Sequence, residues 1–408
     1  MSILFGHPGG NPNSHHAALA HFEAGWLEAF CVPWMPTPRQ LQRLYKTPGL
    51  RGLTARLERR CFLPLLNAPR IEGRSGEWWR MIRRAATPKW ADERLSYEAN
   101  DWLMRTMARE CRRPCVTAVH AYEDCSLWQF EEAKRLGKAC IYDMPIGYYE
   151  AWDEKQRLLA KEFSEWIPPQ GLPSNRYVRP EQKRREMELA DLVLAPSTFV
   201  VETIRSFYND KPVALAPYGV DLEFWQQRQT PRGDGPLRFL YAGQISIRKG
   251  IPVLLEAWRK ARIRDAQLEL VGLWQLSLER RAKLPPDVVV HRSRSREQLR
   301  DRYQSADVFV FPSFFEGFAL APLEAMACGL PLIATKVMAG MDLVAEATGQ
   351  SVIAGDVEAL IESLRWFGAN RDRLSTMKRA ARAAVEAFTW ECYRRRVRAA
   401  VVPFGGDN

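Results

Sequence analysis

The chain reads as an α/β protein built from two doubly wound parallel sheets in tandem. Three observations predict this. Short apolar runs alternate with helical stretches of about 10–15 residues, the pattern of strand–helix–strand units in a parallel sheet. The alternation breaks at a polar run, Gln226–Gly235, and then restarts. Finally, 408 residues are too many for one ordinary core and suit two domains of about 150–200 residues each.

In order, Ser2–Phe5 is a short extended apolar segment, followed by the glycine-rich loop Gly6–Ser14. A helix is expected from about His15 to Ala29. That order can present backbone N–H groups and a helix N-terminus to an anion. His15 and His16 are neighbours that point to different helix faces, and with His21 they do not suggest a metal site. From about Pro33 to Arg113 the pattern is helical and irregular, with no clear strand. Strands follow at Val116–His120, Ala139–Met144, Asp191–Ala195 and Val213–Pro217. Helices are expected at Ser126–Leu136, at about Pro180–Ala190, and from Ser197, a side-chain cap, to Phe207.

Beyond the polar run, strands are expected at Leu237–Ala242, Gln267–Val271, Val288–His291, Asp307–Pro312, Pro331–Thr335 and Ser351–Ile353. The helices between them are about Ile251–Arg262, Arg296–Gln304, Ala319–Ala327 and Val357–Phe367. Trp390–Val401 carries Trp390, Tyr393, Val397 and Val401 on one stripe, able to pack back on the first domain. The expected division is 1–218 with a basic helical insert over about 35–113, then 219–389, then 390–408 returning toward the first domain.

Hydrophobic residues make up 46% of the chain, enough to fill both domains. No charge-free apolar run approaches the roughly 18 residues of a membrane span. The N-terminal residues lack the basic and long apolar regions of a signal peptide. The eight cysteines have no CxxC or zinc-ligand spacing, so reduced cytosolic thiols are expected. The net charge of +11 is concentrated: Arg39–Arg113 holds 18 Arg/Lys against 8 Asp/Glu. That block also holds Trp78, Trp79, Trp90 and Trp102. It suits a solvated helical insert with snorkelling arginines, or the headgroup region of an anionic membrane. Nucleic acid is not expected as a partner.

Ligands of open parallel sheets bind beyond the carboxyl ends of the strands. Gly243–Gly250 follows one such strand, with glycines at both ends and Arg248 and Lys249 between them, as a diphosphate requires. Gly272 follows the next strand. Phe311–Thr335 holds two acids, Glu316 and Glu324, in an otherwise apolar setting where unpaired carboxylates are costly. Glu316 is expected in a loop and Glu324 about a turn inside a helix, started by Pro322 and stopped by Gly329 and Pro331. The amides of Gly317, Phe318, Ala319 and Leu320 lie at that helix N-terminus, where the dipole favours phosphate. A loop acid and a helix acid can grip hydroxyls on either side of a pyrophosphate, as in a nucleotide sugar. Their separation is too large for the carboxyl pair of a glycosidase, about 5–10 Å apart.

The segments Ala195–Val200, Ala216–Asp221, Gly243…Arg248-Lys-Gly250 and Glu316-Gly-Phe…Pro-Leu-Glu324-Ala-Met-Ala-Cys-Gly-Leu-Pro resemble the retaining glycosyltransferases of family 4. The resemblance covers nearly the whole second domain and the latter half of the first, and leaves out the basic insert. It implies the GT-B fold, two Rossmann-like doubly wound domains facing across a cleft. It implies a hexosyltransferase using a nucleotide-diphosphate sugar as co-substrate, with no other cofactor. It also implies roles: Glu324 on the donor ribose; Glu316, with the amides of Gly317 and Phe318, on the transferred hexose; Lys249 on the pyrophosphate. The family usually has an arginine directly after the first glycine, where this chain has Gln244; Arg248 is the substitute. His291 and Arg292 are implied near the base, and Gly9 and Gly10 near the phosphate. A family His-x-His corresponds to His120 and Tyr122, so His120 is retained as a catalytic candidate.

No Asp-x-Asp occurs in the sequence, and no metal is implied. The expected acceptor is a glycan, a lipid-linked glycan or a small molecule, selected by the first domain, with Tyr122, Tyr148 and Tyr149 as candidate contacts. The alternatives are a GT-B-like nucleotide-sugar epimerase and a catalytically degenerate sugar-binding protein. The expected location is cytoplasmic, with the basic block as the candidate contact to the inner membrane face.

Overall fold

A computed structural model describes the chain apart from residues 48–49, 87–91, 170, 172–178, 229–234, 293–294, 338–342 and 405–408. Trp90 and most of the predicted linker lie outside the described residues.

Seven strands form the first sheet: β1 (Ile3–Gly6), β2 (Leu27–Val32), β3 (Arg70–Glu72), β4 (Ala118–Tyr122), β5 (Ala139–Asp143), β6 (Leu192–Ala195) and β7 (Val213–Leu215). Their order is β3-β2-β1-β4-β5-β6-β7. Six form the second: β8 (Leu237–Ala242), β9 (Ala266–Val271), β10 (Val288–His291), β11 (Val308–Phe311), β12 (Leu332–Thr335) and β13 (Gly349–Val352). Their order is β10-β9-β8-β11-β12-β13. Every strand pairing is parallel. Both sheets therefore run third-second-first-fourth outward from the switch, the doubly wound order. The crevices for ligands open between β1 and β4 and between β8 and β11. Central strands such as β1, β4, β11 and β12 are buried along their whole length, which explains their continuous apolar sequence.

Three differences from the sequence reading lie in the first 115 residues. The first helix spans Pro12–Glu23, not about His15–Ala29. Asn11 caps it, with Ser14 closing a capping box and Pro12 at its first turn, a start signal stronger than the histidines that follow. Leu27–Ala29, expected to end that helix, belongs instead to β2, Leu27–Val32, paired with β1. Its burial beside β1 outweighs the helical tendency of Leu, Glu and Ala. The helical insert also contains an edge strand, β3, whose three residues, Arg-Ile-Glu, are too few to establish a period of two. Helices at Tyr149–Glu162, Leu278–Ala282 and Leu374–Val385 add to those expected.

Within the insert, Trp34, Leu41, Leu57 and Met81 form a small apolar core separate from the main one, with Leu44, Leu53, Cys61 and Trp78 packed around it. Among the described residues no helix is long and apolar enough to cross a membrane.

The chain passes between the lobes twice, at Tyr218–Asp221 and at Phe388–Trp390, and the two passages touch. Val220 N donates to Phe388 O at 2.9 Å. A Cβ on Gly219 would lie 2.2 Å from the backbone N of Trp390, so only glycine permits that approach. The helix Trp390–Val401 then buries Tyr393, Val397 and Val401. Arg394 and Arg398 donate to Glu23 Oε2 at 2.9 and 2.7 Å, and Trp390 stacks on His16 at 4.3 Å, tying the C-terminal helix to the first lobe.

Candidate functional site

The second lobe's switch point holds an open cavity of about 410 Å³. It is lined by Ala242, Gly243 and Gln244 after β8, by Val271, Gly272 and Leu273 after β9, and by Arg292, Leu299, Tyr303 and Ala321. Its volume falls in the range of small-molecule sites, about 300–1,000 Å³. Loops from three strand ends build it because β8, β9 and β10 are adjacent and parallel. Tyr303 was missed in the sequence: it lies inside a predominantly charged helix with no motif around it.

Beside the cavity is the helix Leu320–Ala327, with Glu324 inside it and Glu316 in the preceding loop. Tyr303 Oη donates to Glu324 Oε2 at 3.3 Å. Burial pushes the Glu324 carboxyl up to about 7, with Arg296 acting in the opposite direction. A carboxyl held that way gains by meeting hydroxyl donors, which stabilise its charged form. His291 is half-buried at the end of β10, 3.6 Å from Glu269, and burial lowers its pKa.

Glu316 is buried and its Oε1 is crowded. Lys249 Nζ and Ser313 Oγ each donate to it at 2.5 Å, and Arg248 Nη1 stands 3.5 Å away. Arg248 also donates to Phe315 O at 2.7 Å. Burial lowers the Lys249 pKa, while the Glu316 charge raises it. The structure thus brings Glu316, Lys249 and Arg248 together at one strand end. Both cations are engaged by the Glu316 loop. Ser313, which completes the carboxylate's partners, carried no sequence signal. The amides of Gly317–Leu320 precede or begin the helix, and no side chain caps them.

The first lobe places its candidates differently. His120 is fully buried, its Nδ1 2.9 Å from His21 Nε2 and its ring 4.8 Å from Phe5. Burial holds its pKa at about 3. It is a neutral interior imidazole and does not face the cleft, because β4 turns its side chain into the space between sheet and first helix. Tyr122 is buried beside Asp143 at the end of β5. Burial pushes Asp143 up to about 7, with Tyr122, Tyr218 and Tyr393 around it. Asp143 Oδ2, His120 Nε2 and the three phenol oxygens have no hydrogen-bond partner among the described residues. Asp143 was missed because an acid at a strand end reads as an ordinary polar terminus.

Tyr148 and Tyr149, expected to line an acceptor pocket, are packed away instead. The Tyr148 hydroxyl lies 3.2 Å from that of Tyr208, and Tyr149 donates to Glu150 at 2.8 Å. They begin a helix that the sequence reading lacked, and its packing turns both rings inward. In the glycine loop, the amides of Gly9 and Gly10 donate to His7 Nδ1 at 3.0 and 2.8 Å. The anion-facing N–H groups are thus occupied by an imidazole that burial holds near pKa 3. From the insert, Phe62 stacks on His15 at 5.0 Å, so the insert packs on the first turn of the helix that follows this loop. Among the described residues no group of three His, Cys, Asp or Glu side chains could hold a metal ion.

Residues 224–384 match the family model described as glycosyl transferases group 1. The chain is 32% identical over 261 residues to a D-inositol 3-phosphate glycosyltransferase of Paenarthrobacter aurescens, covering 55% of this chain and 64% of that one. It is 29% identical over 220 residues to an MMP alpha-(1->4)-mannosyltransferase of Mycolicibacterium hassiacum, covering 52% and 53%. The chain therefore spans less than two thirds of the length of these curated relatives. Sucrose-phosphate synthase from Thermosynechococcus elongatus superposes with a TM-score of 0.66 at 20% identity, over 99% of this chain and 98% of that one. Anabaena Alr3699/HepE in complex with UDP-glucose superposes with a TM-score of 0.62 at 15% identity, over 99% and 100%. At those identities the structures share a fold. Residues 224–384 thus resemble the group 1 glycosyl transferases, in a chain whose two lobes have the GT-B architecture.

Proposed function

We propose that the protein is a retaining hexosyltransferase that moves a sugar from a nucleoside-diphosphate donor to a hydroxyl of a glycan, lipid-linked or small-molecule acceptor. The observation that carries this reading is the grouping of Glu316, Lys249 and Arg248 beside an open cavity. In this reading the nucleoside occupies the cavity between Gly243, Gly272 and Arg292, and Glu324 takes the ribose hydroxyls. Lys249 and Arg248 turn from Glu316 to the diphosphate as it enters, and the helix amides from Gly317 onward add to them. Glu316, so released, takes hexose hydroxyls. The acceptor oxygen attacks from the face the diphosphate leaves, and a phosphate oxygen receives its proton. The protein's contribution is to stabilise the leaving charge.

The test is a thermal-shift screen of UDP-glucose, GDP-mannose and related donors, followed by detection of released nucleotide. A donor at about 100 times its Kd adds about 2.7 kcal/mol to stability. Proton NMR of the product's anomeric centre then reads retention. Stabilisation by no donor, or donor converted without acceptor, overturns the reading; the second result indicates an epimerase.

The partner of the basic insert is proposed on the same footing. Leu63, Trp79 and Ile82 are exposed, and Arg39, Arg43 and Lys46 are exposed on the helix Pro38–Lys46. Exposed apolar side chains together with unburied cations fit an anionic membrane surface, and the insert's Phe62 packs on the first lobe's first helix. Co-sedimentation with vesicles rich in anionic lipid, but not with neutral ones, is the expected outcome.

A further inference from the structure

The loop from Ser313 to Phe318 belongs to the second lobe but is held from both. From its own lobe, Phe314 N donates to Arg248 O at 2.9 Å, and Arg248, Lys249 and Ser313 hold Phe315 O and the Glu316 carboxylate. From the first lobe, Ser197 Oγ donates to Gly317 O at 2.6 Å. Gly147 N donates to Glu316 O at 3.3 Å, and Ile146 and Gly317 form an antiparallel bridge. The Phe315 ring is wedged between Trp152 and Phe199, with centroids 5.2 Å from each. The fit is close: a Cβ on Gly147 would lie 2.5 Å from the Phe315 ring, and one on Gly317 would lie 1.7 Å from Pro145 O.

Glu316 is therefore anchored twice, its carboxylate to the second lobe and its backbone to the first. We propose that Ser197, Gly147 and the pocket that receives Phe315 form a clasp by which the first lobe positions Glu316 for reaction when the lobes are closed. Ser197 and Phe315 are positioning residues; they act through Glu316. The proposal rests on the reading of Glu316 as the acid that contacts the transferred hexose. Its physical basis is that a shift of about 1 Å in a reacting group can cost on the order of 100-fold in rate, and a loop held only at its carboxylate end is free to shift.

Ser197 permits a clean test because its hydroxyl does two things. It accepts from Val200 N at 3.3 Å, capping the helix Thr198–Arg205, and donates its proton to Gly317 O. Aspartate at this position keeps the cap but is acceptor-only and cannot donate. Threonine keeps both. The assay uses whichever of UDP-glucose and GDP-mannose the wild type turns over. The expected result is a fall in kcat of about tenfold or more in Ser197→Asp and in Phe315→Ala, with the nucleoside-diphosphate Kd within about threefold and Ser197→Thr close to wild type. Ser197 is buried and an aspartate there faces the Gly317 carbonyl, so Ser197→Asp melts below wild type, and kcat is measured where both remain folded. By small-angle scattering, Phe315→Ala has a larger radius of gyration than wild type. A kcat within about twofold in both variants, or a scattering curve unchanged by Phe315→Ala, overturns the clasp. If Phe315→Ala does not fold, Ser197→Asp, assayed below its melting transition, decides it. If the wild type turns over no donor, the functional reading fails, and the scattering comparison still tests the clasp.

Discussion

The two lobes share a strand order and differ in what lies on their switch points. In the second lobe, the loops after β8 and β9 border an open cavity, and the β11 loop brings Glu316 to Lys249 beside it. In the first, the loops after β1, β4 and β5 close over an interior in which His120, Tyr122 and Asp143 are buried. The cover comes from elsewhere in the chain: Tyr218 from the passage between lobes and Tyr393 from the C-terminal helix. One topology thus yields an accessible site in one copy and a filled polar interior in the other. Strand order locates a possible site, while the segments laid across the strand ends decide whether it is open.

The sharpest way to break this comparison is to disarm the open site. Lys249→Ala and Glu324→Ala are each expected to lower transfer by about 100-fold or more, measured as nucleotide release, with melting nearly unchanged. Full activity in either variant would remove the second lobe's assignment. Gly317→Ala tests the join between the lobes. Its Cβ meets the Pro145 carbonyl, a backbone atom with no rotamer to yield, and a loss of about 1–3 kcal/mol in chemical denaturation is expected.

Asp143 tests the closed interior through pH. Its carboxyl is raised from the ordinary 3.8 to about 7 by burial, so the folded state keeps a proton that the unfolded chain releases. Stability from this group is present below about pH 4 and is lost as pH rises to 7, at up to about 1.4 kcal/mol per pH unit. Asp143→Asn should flatten that decline and raise the melting temperature at pH 8. Glu186 and Glu324, also raised to about 7 by burial, leave part of the slope in place. An unchanged pH profile would mean that Asp143 is ionised and solvated. The smallest expected effect on stability is that of Trp79→Ser, at a residue 67% exposed: within about 0.5 kcal/mol, with weaker binding to anionic vesicles. Binding that survives unaltered would remove Trp79 from the proposed membrane contact.

Legibility followed the same division. β8 and β10 and the helix Trp390–Val401 have the bounds expected from the sequence, because their local apolar pattern and flanking residues mark them. Glu316 and Glu324 could be placed in loop and helix because Pro322, Gly329 and Pro331 punctuate the segment locally. β2 was misread, since pairing with β1 rather than local propensity makes it a strand. His120, Tyr148 and Tyr149 were misjudged as accessible, since exposure depends on what packs over them.

Alternation, punctuation and the spacing of the two glutamates by themselves determined an α/β chain of two parallel sheets, with Gly243–Gly250 after β8 and the two glutamates after β11. These are local properties, carried by backbone preference and by which residues can be buried. Only the tertiary structure decided that the first lobe's polar groups are sealed, that Lys249 and Arg248 are tied to Glu316, and that Ser197 and Gly147 grip the Glu316 loop. Those contacts join residues more than 60 positions apart. Nothing in a sequence window of one helix or strand encodes such a meeting; the packing of the two lobes does.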